Sequence, residues 1–60
     1  MRFISEYMNN TMTKTAKVYH RGEKDFIVIV KSDTGSYYNV SFENIQSAED
    51  YAEDWVINNE

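Results

Sequence analysis

Phe26-Ile27-Val28-Ile29-Val30-Lys31-Ser32-Asp33-Thr34-Gly35-Ser36-Tyr37-Tyr38-Asn39-Val40-Ser41-Phe42 is the stretch that decides the fold. Its two ends are β-branched and aromatic, the composition of strands, and its middle is polar with one glycine. Asp33-Thr34-Gly35 suits a three-residue hairpin loop with glycine in the left-handed position. That loop pairs Ser32 with Ser36, and so Val30 with Tyr38, Val28 with Val40 and Phe26 with Phe42. All six then share one face. Slipping the register by one residue sets Val28 against Asn39 and mixes apolar with polar side chains, which the alternation of strands disfavours.

A helix follows. Ala48, Tyr51, Ala52, Trp55 and Val56 fall at the i, i+3, i+4, i+7, i+8 spacing of one buried helical face. Ser47 has the chemistry of an N-cap, with Glu49 and Asp50 in the turn behind it, and Asn58 and Asn59 suit the end. The predicted helix therefore spans 47–58 and lies on the face made by Phe26, Val28 and Val30. Glu49, Asp50, Glu53 and Asp54 cover its other side.

Upstream, Lys14 to His20 reads as a further strand joined to Phe26 through Arg21-Gly22-Glu23-Lys24. One loop choice puts Ala16 and Val18 over the core, another puts Tyr19 there, and the sequence leaves both open. Phe3, Ile4, Tyr7 and Met8 form a short stripe at helical spacing, broken by Asn9 and Asn10. The expected architecture is α+β: one domain over 1–60, with an N-terminal segment (1–12) that forms a short helix or is flexible. A three-stranded antiparallel β-meander (13–42) and the C-terminal helix complete it. The second face of the central strand, Ile27 and Ile29, then wants cover from the N-terminal stripe, a second copy or a partner.

Composition narrows the function. Sixty residues allow a single domain, and the absence of cysteine excludes disulfides, thiolate metal sites and cysteine nucleophiles. One histidine is too few for a His-rich metal centre. The longest apolar run, Phe26 to Val30, is far short of the about 20 residues a membrane span needs. No apolar stretch of signal-peptide length opens the chain, so a cytoplasmic setting is expected. The net charge of −4 is unevenly spread. Residues 1–31 carry six basic residues against three acids, and residues 32–60 carry seven acids and no basic residue.

No catalytic constellation survives inspection. Asp33-Thr34-Gly35 matches the aspartic protease tripeptide, yet that chemistry needs two aspartates in an apolar cleft, and this single copy is a turn. Asn9-Asn10-Thr11 and Asn39-Val40-Ser41 are sequons without a secretory context. His20 has no base or nucleophile partner in sequence and is expected in solvent. The paired acids of the helix face outward and apart, unlike the curved loops that hold hard cations. No enzyme, cofactor or metal ligand is expected.

Three readings remain. The first is a protein-binding domain in which Glu49, Asp50, Glu53 and Asp54 attract a partner with a basic surface and Ile27, Ile29 and Tyr37 supply contact area. The second is a nucleic-acid surface on the first hairpin, with Lys17, Arg21 and Lys24 at phosphates and Tyr19 stacked on a base. A sequence pI near 4.8 argues against it. The third is a structural homodimer that buries Ile27 and Ile29.

The strand pair followed by Ser47-Ala48-Glu49-Asp50-Tyr51-Ala52-Glu53-Asp54-Trp55 resembles the small phage-encoded inhibitors of host proteins, such as the coliphage inhibitor of bacterial RNA polymerase. More loosely it is similar to the HicB-type antitoxins. The likeness covers residues 26–57 and carries over no site residue. It implies a non-enzymatic protein that binds and modulates another protein, in a bacterial or phage-infected cell.

Overall fold

A computed structural model describes residues 1–11 and 13–58. It contains β1 (Arg2–Met8), β2 (Thr15–Gly22), β3 (Asp25–Lys31), β4 (Tyr37–Phe42) and α1 (Ile45–Asn58), in that order along the chain. The strands form one antiparallel sheet in the order β1-β2-β3-β4, and α1 lies across it, mainly over β2 and β3. The class is α+β as expected, but the sheet has four strands.

The β3–β4 register is the one the loop predicts: Val30 opposes Tyr38, Val28 opposes Val40 and Phe26 opposes Phe42. The turn closes with the Ser32 N–H donating to the Ser36 carbonyl and the Gly35 N–H to the Ser32 carbonyl, both at 3.0 Å. Gly35 takes a φ of +88°, the left-handed conformation that glycine adopts without a Cβ penalty. In the first hairpin Ala16 opposes Val30 and Val18 opposes Val28, so these two enter the core and Tyr19 goes to the opposite face.

The N-terminal stripe is a strand, not a helix. Its residues pair with β2 from Arg2–His20 to Met8–Thr15, with a bulge between Phe3 and Ser5. The bulge explains the misleading spacing. It sets an extra residue against β2, so Ile4 joins Tyr7 against the core although the two are three residues apart. A one- or two-turn helix is marginal in water, whereas the open edge of β2 offers a row of main-chain partners. The chain turns at Asn10 and Thr11; Met12, the last residue of the expected N-terminal segment, lies outside the described residues. Asn9 ties that turn, its Oδ1 accepting from the N–H groups of Thr13 and Lys14 at 2.9 and 3.0 Å.

The core joins Ala16, Val18, Val28 and Val30 of the sheet to Ala48, Ala52, Trp55 and Val56 of α1. Small alanines let the helix approach the sheet closely, and Trp55 closes the side towards β4. There its Nε1–H donates to the Tyr38 hydroxyl at 2.7 Å.

The helix starts earlier than Ser47 as cap would allow. Asn44 takes that place, its Oδ1 accepting from the Ser47 N–H at 2.8 Å. Asparagine caps as well as serine, and the earlier start adds a turn without rotating the buried face. Glu49 and Asp50 therefore sit beyond the first turn. The helix extends to Asn58; Asn59 lies outside the described residues. Asn44→Ala should lower stability by about 1 kcal/mol, read as a lower urea midpoint with unchanged slope, while Ser47→Ala should change it far less.

Candidate functional site

Because α1 covers one face of the sheet, the other is left to solvent. Strand alternation and the observed register put Thr15, Lys17, Tyr19 and Arg21 of β2 on it, with Ile27, Ile29 and Lys31 of β3 and Tyr37, Asn39 and Ser41 of β4. β1 adds Phe3 and Glu6, opposite Tyr19 and Lys17.

The two isoleucines of this face differ. Ile27 is only 5% exposed. Its cover comes from the chain itself, because Arg21 on β2 reaches over β3 to donate to Ser41 Oγ of β4 at 3.1 Å. Arg21 is held in that pose by a two-pronged bond to Asp25, at 2.8 and 3.0 Å. The guanidinium keeps the Asp25 carboxyl below the usual range, chiefly through that hydrogen bond. The pair is exposed and adds little stability by itself, but it fixes the arm that shields Ile27. Ile27 is thus closed to a partner, contrary to its expected role as contact area.

Ile29 is half-buried and open. It forms the floor of a concavity of about 330 Å³ whose walls are Glu6, Thr15, Lys17, Tyr19, Lys31 and Tyr37. The Lys31 ammonium lies 5.5 Å from the centre of the Tyr37 ring, and Tyr37 is 66% exposed. Phe3 meets Tyr19 edge to face at 5.7 Å, stiffening the other end. The arrangement can take an apolar or planar group against Ile29 and the rings, with two ammonium groups at its border.

The acids of α1 lie on the opposite side of the molecule. Glu49 Oε2 accepts from the Ser5 hydroxyl at 3.0 Å, so it leans over β1. Asp50 accepts from Gln46 at 3.4 Å. Burial raises the Tyr7 pKa, and the charges of Glu49, Glu53 and Asp50 add to the rise, which puts these acids near β1. Tyr51, on the β4 side of the helix, is raised by burial and by its hydrogen bond with Tyr38. The residues expected to form one contact surface thus fall on two: Ile29 and Tyr37 on the open sheet face, Glu49, Asp50, Glu53 and Asp54 on the helix. A flat partner cannot touch both.

Of the nucleic-acid candidates, Lys17 and Tyr19 share the concavity, Arg21 is engaged with Asp25 and Ser41, and Lys24 sits in the exposed β2–β3 turn. Lys31, which the sequence offers as a further phosphate contact, also lines the concavity; Thr15 and Glu6 were not singled out, and only the register brings them to this site. His20 is half-buried rather than solvated. It stacks on Phe26 at 4.7 Å, and its Nε2 is shielded and makes no hydrogen bond. Among the described residues no three of His, Asp and Glu gather as a metal site, and no helix is long and apolar enough to cross a membrane. Comparison with protein-family models, with curated proteins and with solved structures finds no match to this chain.

Proposed function

We propose that the chain is a small acidic, non-enzymatic protein-binding domain, a phage or bacterial modulator of a host protein, and that its contact surface is the open sheet face. The observation that carries this reading is the concavity over Ile29. Its rings and aliphatic floor offer desolvatable area at a rigid sheet, the kind of pocket that anchors an interface. A partner would seat an apolar side chain there and set carboxylates beside Lys17 and Lys31. The acidic helix points away from that contact. Its role is long-range attraction towards a basic region of the partner, which affects encounter rate more than residence.

Immobilised wild-type chain and its variants, challenged with bacterial extract, test this. Ile29→Asp combined with Tyr37→Ala should lose the proteins that wild type retains, whereas Glu53→Lys with Asp54→Lys should keep them and change only the salt dependence. Retention unaffected by the sheet-face pair, but lost with the helix pair, would overturn the assignment of the surface.

A second reading has one observation in its favour. Lys17, Tyr19, Lys31 and Tyr37 share a face from which the helix acids are absent, so single-stranded nucleic acid meets rings and ammonium groups there. Glu6 inside the concavity and the net charge of −4 weigh against it. Fluorescence anisotropy with a labelled oligonucleotide at low salt separates the two, since a nucleic-acid surface binds steeply better as salt falls.

A further inference from the structure

The two edges of the sheet are built differently. β1 carries Arg2 and Glu6 and a bulge, devices that discourage pairing with another strand. β4 has none of them: Tyr37-Tyr38-Asn39-Val40-Ser41-Phe42 contains no charge and no proline, and it pairs with β3 over all six residues without a break. The direction of its free main-chain groups follows from the turn. Ser32 donates to Ser36, and antiparallel ladders alternate. Tyr38, Val40 and Phe42 therefore spend their N–H and C=O groups on β3, and those of Tyr37, Asn39 and Ser41 point outward from the edge.

We propose that β4 is the pairing edge of a symmetric dimer, with β4 of a second copy added antiparallel and the two Val40 residues at the two-fold axis. The row Tyr38-Val40-Phe42 reads the same by type in either direction, aromatic, aliphatic, aromatic. Set against its own reverse, it puts each Tyr38 opposite Phe42 of the second copy, on the side where Trp55 and Tyr51 already form a wall. Cross-strand aromatic pairs of this kind favour association. Asn39 and Ser41 of the two copies then exchange the outward hydrogen bonds.

Charge selects the same register. One step past the end of β4, Glu43 of the second copy falls opposite Tyr37, over whose ring Lys31 is held. Symmetry gives two such contacts, and no like charges meet along β4. The alternative register, centred on Asn39, sets Glu43 against Gly35 and loses both the ion pair and the Tyr38–Phe42 match. α1 sits mainly over β2 and β3 and meets β4 on one face, through Trp55 and Tyr51, so the outward main-chain groups of the edge stay clear. The open face stays uncovered in the dimer, with Glu43 of the second copy reaching only the Lys31–Tyr37 border of the concavity and leaving Ile29, Lys17 and Tyr19 accessible.

Sedimentation equilibrium over a concentration series, with hydrogen exchange of the β4 amides, tests the proposal on the whole chain. Wild type should form dimers, and the Asn39 and Ser41 amides should exchange more slowly as concentration rises. Asn39→Pro removes one outward N–H that β3 does not use, and should abolish dimers while the circular dichroism stays native. Glu43→Lys, a surface change that leaves the strand intact, should weaken the dimer roughly tenfold. Lys31→Glu in the same chain should restore it. A chain that stays monomeric at every concentration, or dimers that survive both Asn39→Pro and Glu43→Lys, would overturn the proposal and in the second case move the interface to β1 or to the open face.

Discussion

Replacing Trp55 by alanine is expected to remove most of the domain's stability at room temperature and to move its urea midpoint close to zero denaturant. Trp55 is 7% exposed and closes the helix–sheet core on the β4 side. Its ring meets Tyr38 edge to face at 6.2 Å and its Nε1–H donates to the Tyr38 hydroxyl. Truncating a buried tryptophan costs about 3–5 kcal/mol. A chain of 60 residues has roughly 3–9 kcal/mol of stability in total, so the substitution removes most of it. Trp55→Phe keeps the ring in the core and deletes only the donor. Tyr38 is 50% exposed and can turn its hydroxyl to water, so the loss there is about 1 kcal/mol. Urea titrations followed by far-ultraviolet circular dichroism read both. A cooperative, wild-type-like transition in Trp55→Ala would mean that α1 docks without its tryptophan.

The second large effect comes from a pair of neighbours. Val28→Asp should abolish folding, and Ile29→Asp should leave it nearly intact. Val28 is fully buried between Val18 and Val40 under α1. Among the described residues the core around it is apolar, and an uncompensated buried charge costs about 3–5 kcal/mol. Ile29 points the other way, between Lys17 and Asn39, with Lys31 at the same concavity. A carboxylate at that position stays hydrated and lies near two ammonium groups, so the change is about 1 kcal/mol. Thermal denaturation at equal concentration distinguishes the two. Equal damage from both would mean that the second face is buried in the native protein.

How legible this was in the sequence varied by element. The second hairpin was readable because two independent signals agree on it: the face alternation of Phe26–Val30 and Tyr37–Phe42, and a loop whose length and glycine permit one register. The first hairpin lacked the second signal. Gly22 sits among charged residues that suit several turns, so the sequence leaves Ala16 and Tyr19 competing for the core, and only the ladder with β3 decides between them. β1 was misread because a bulge converts the two-residue period of a strand into a three-residue spacing between Ile4 and Tyr7, which imitates a helix. The capping role of Asn44 was hidden by Ser47, an equally good cap in a better-looking place.

The candidate site was half legible. Tyr37, Ile29, Lys17 and Tyr19 follow from strand alternation, but they were divided between two different readings, and only the pairing of β2 with β3 and β4 unites them. The shielding of Ile27 depends on a bond from Arg21 to Ser41, twenty residues apart in sequence. No local pattern encodes it. The helix acids were expected on one surface, but nothing local could say that Glu49 leans over β1 to accept from Ser5, or that all four lie on the far side from Ile29.

One face of the sheet is sealed by α1 and the other is open at Ile29. Methyl spectra of a dilute, isotope-labelled sample, recorded with and without a soluble paramagnetic agent, test that directly. The Ile29 methyls should be strongly attenuated, whereas those of Ile27 under the Arg21 arm, and of Val28 and Val30 under the helix, should be spared. Protection of Ile29 equal to that of Val28 would contradict the open face, because the surface assigned to binding would then already be covered.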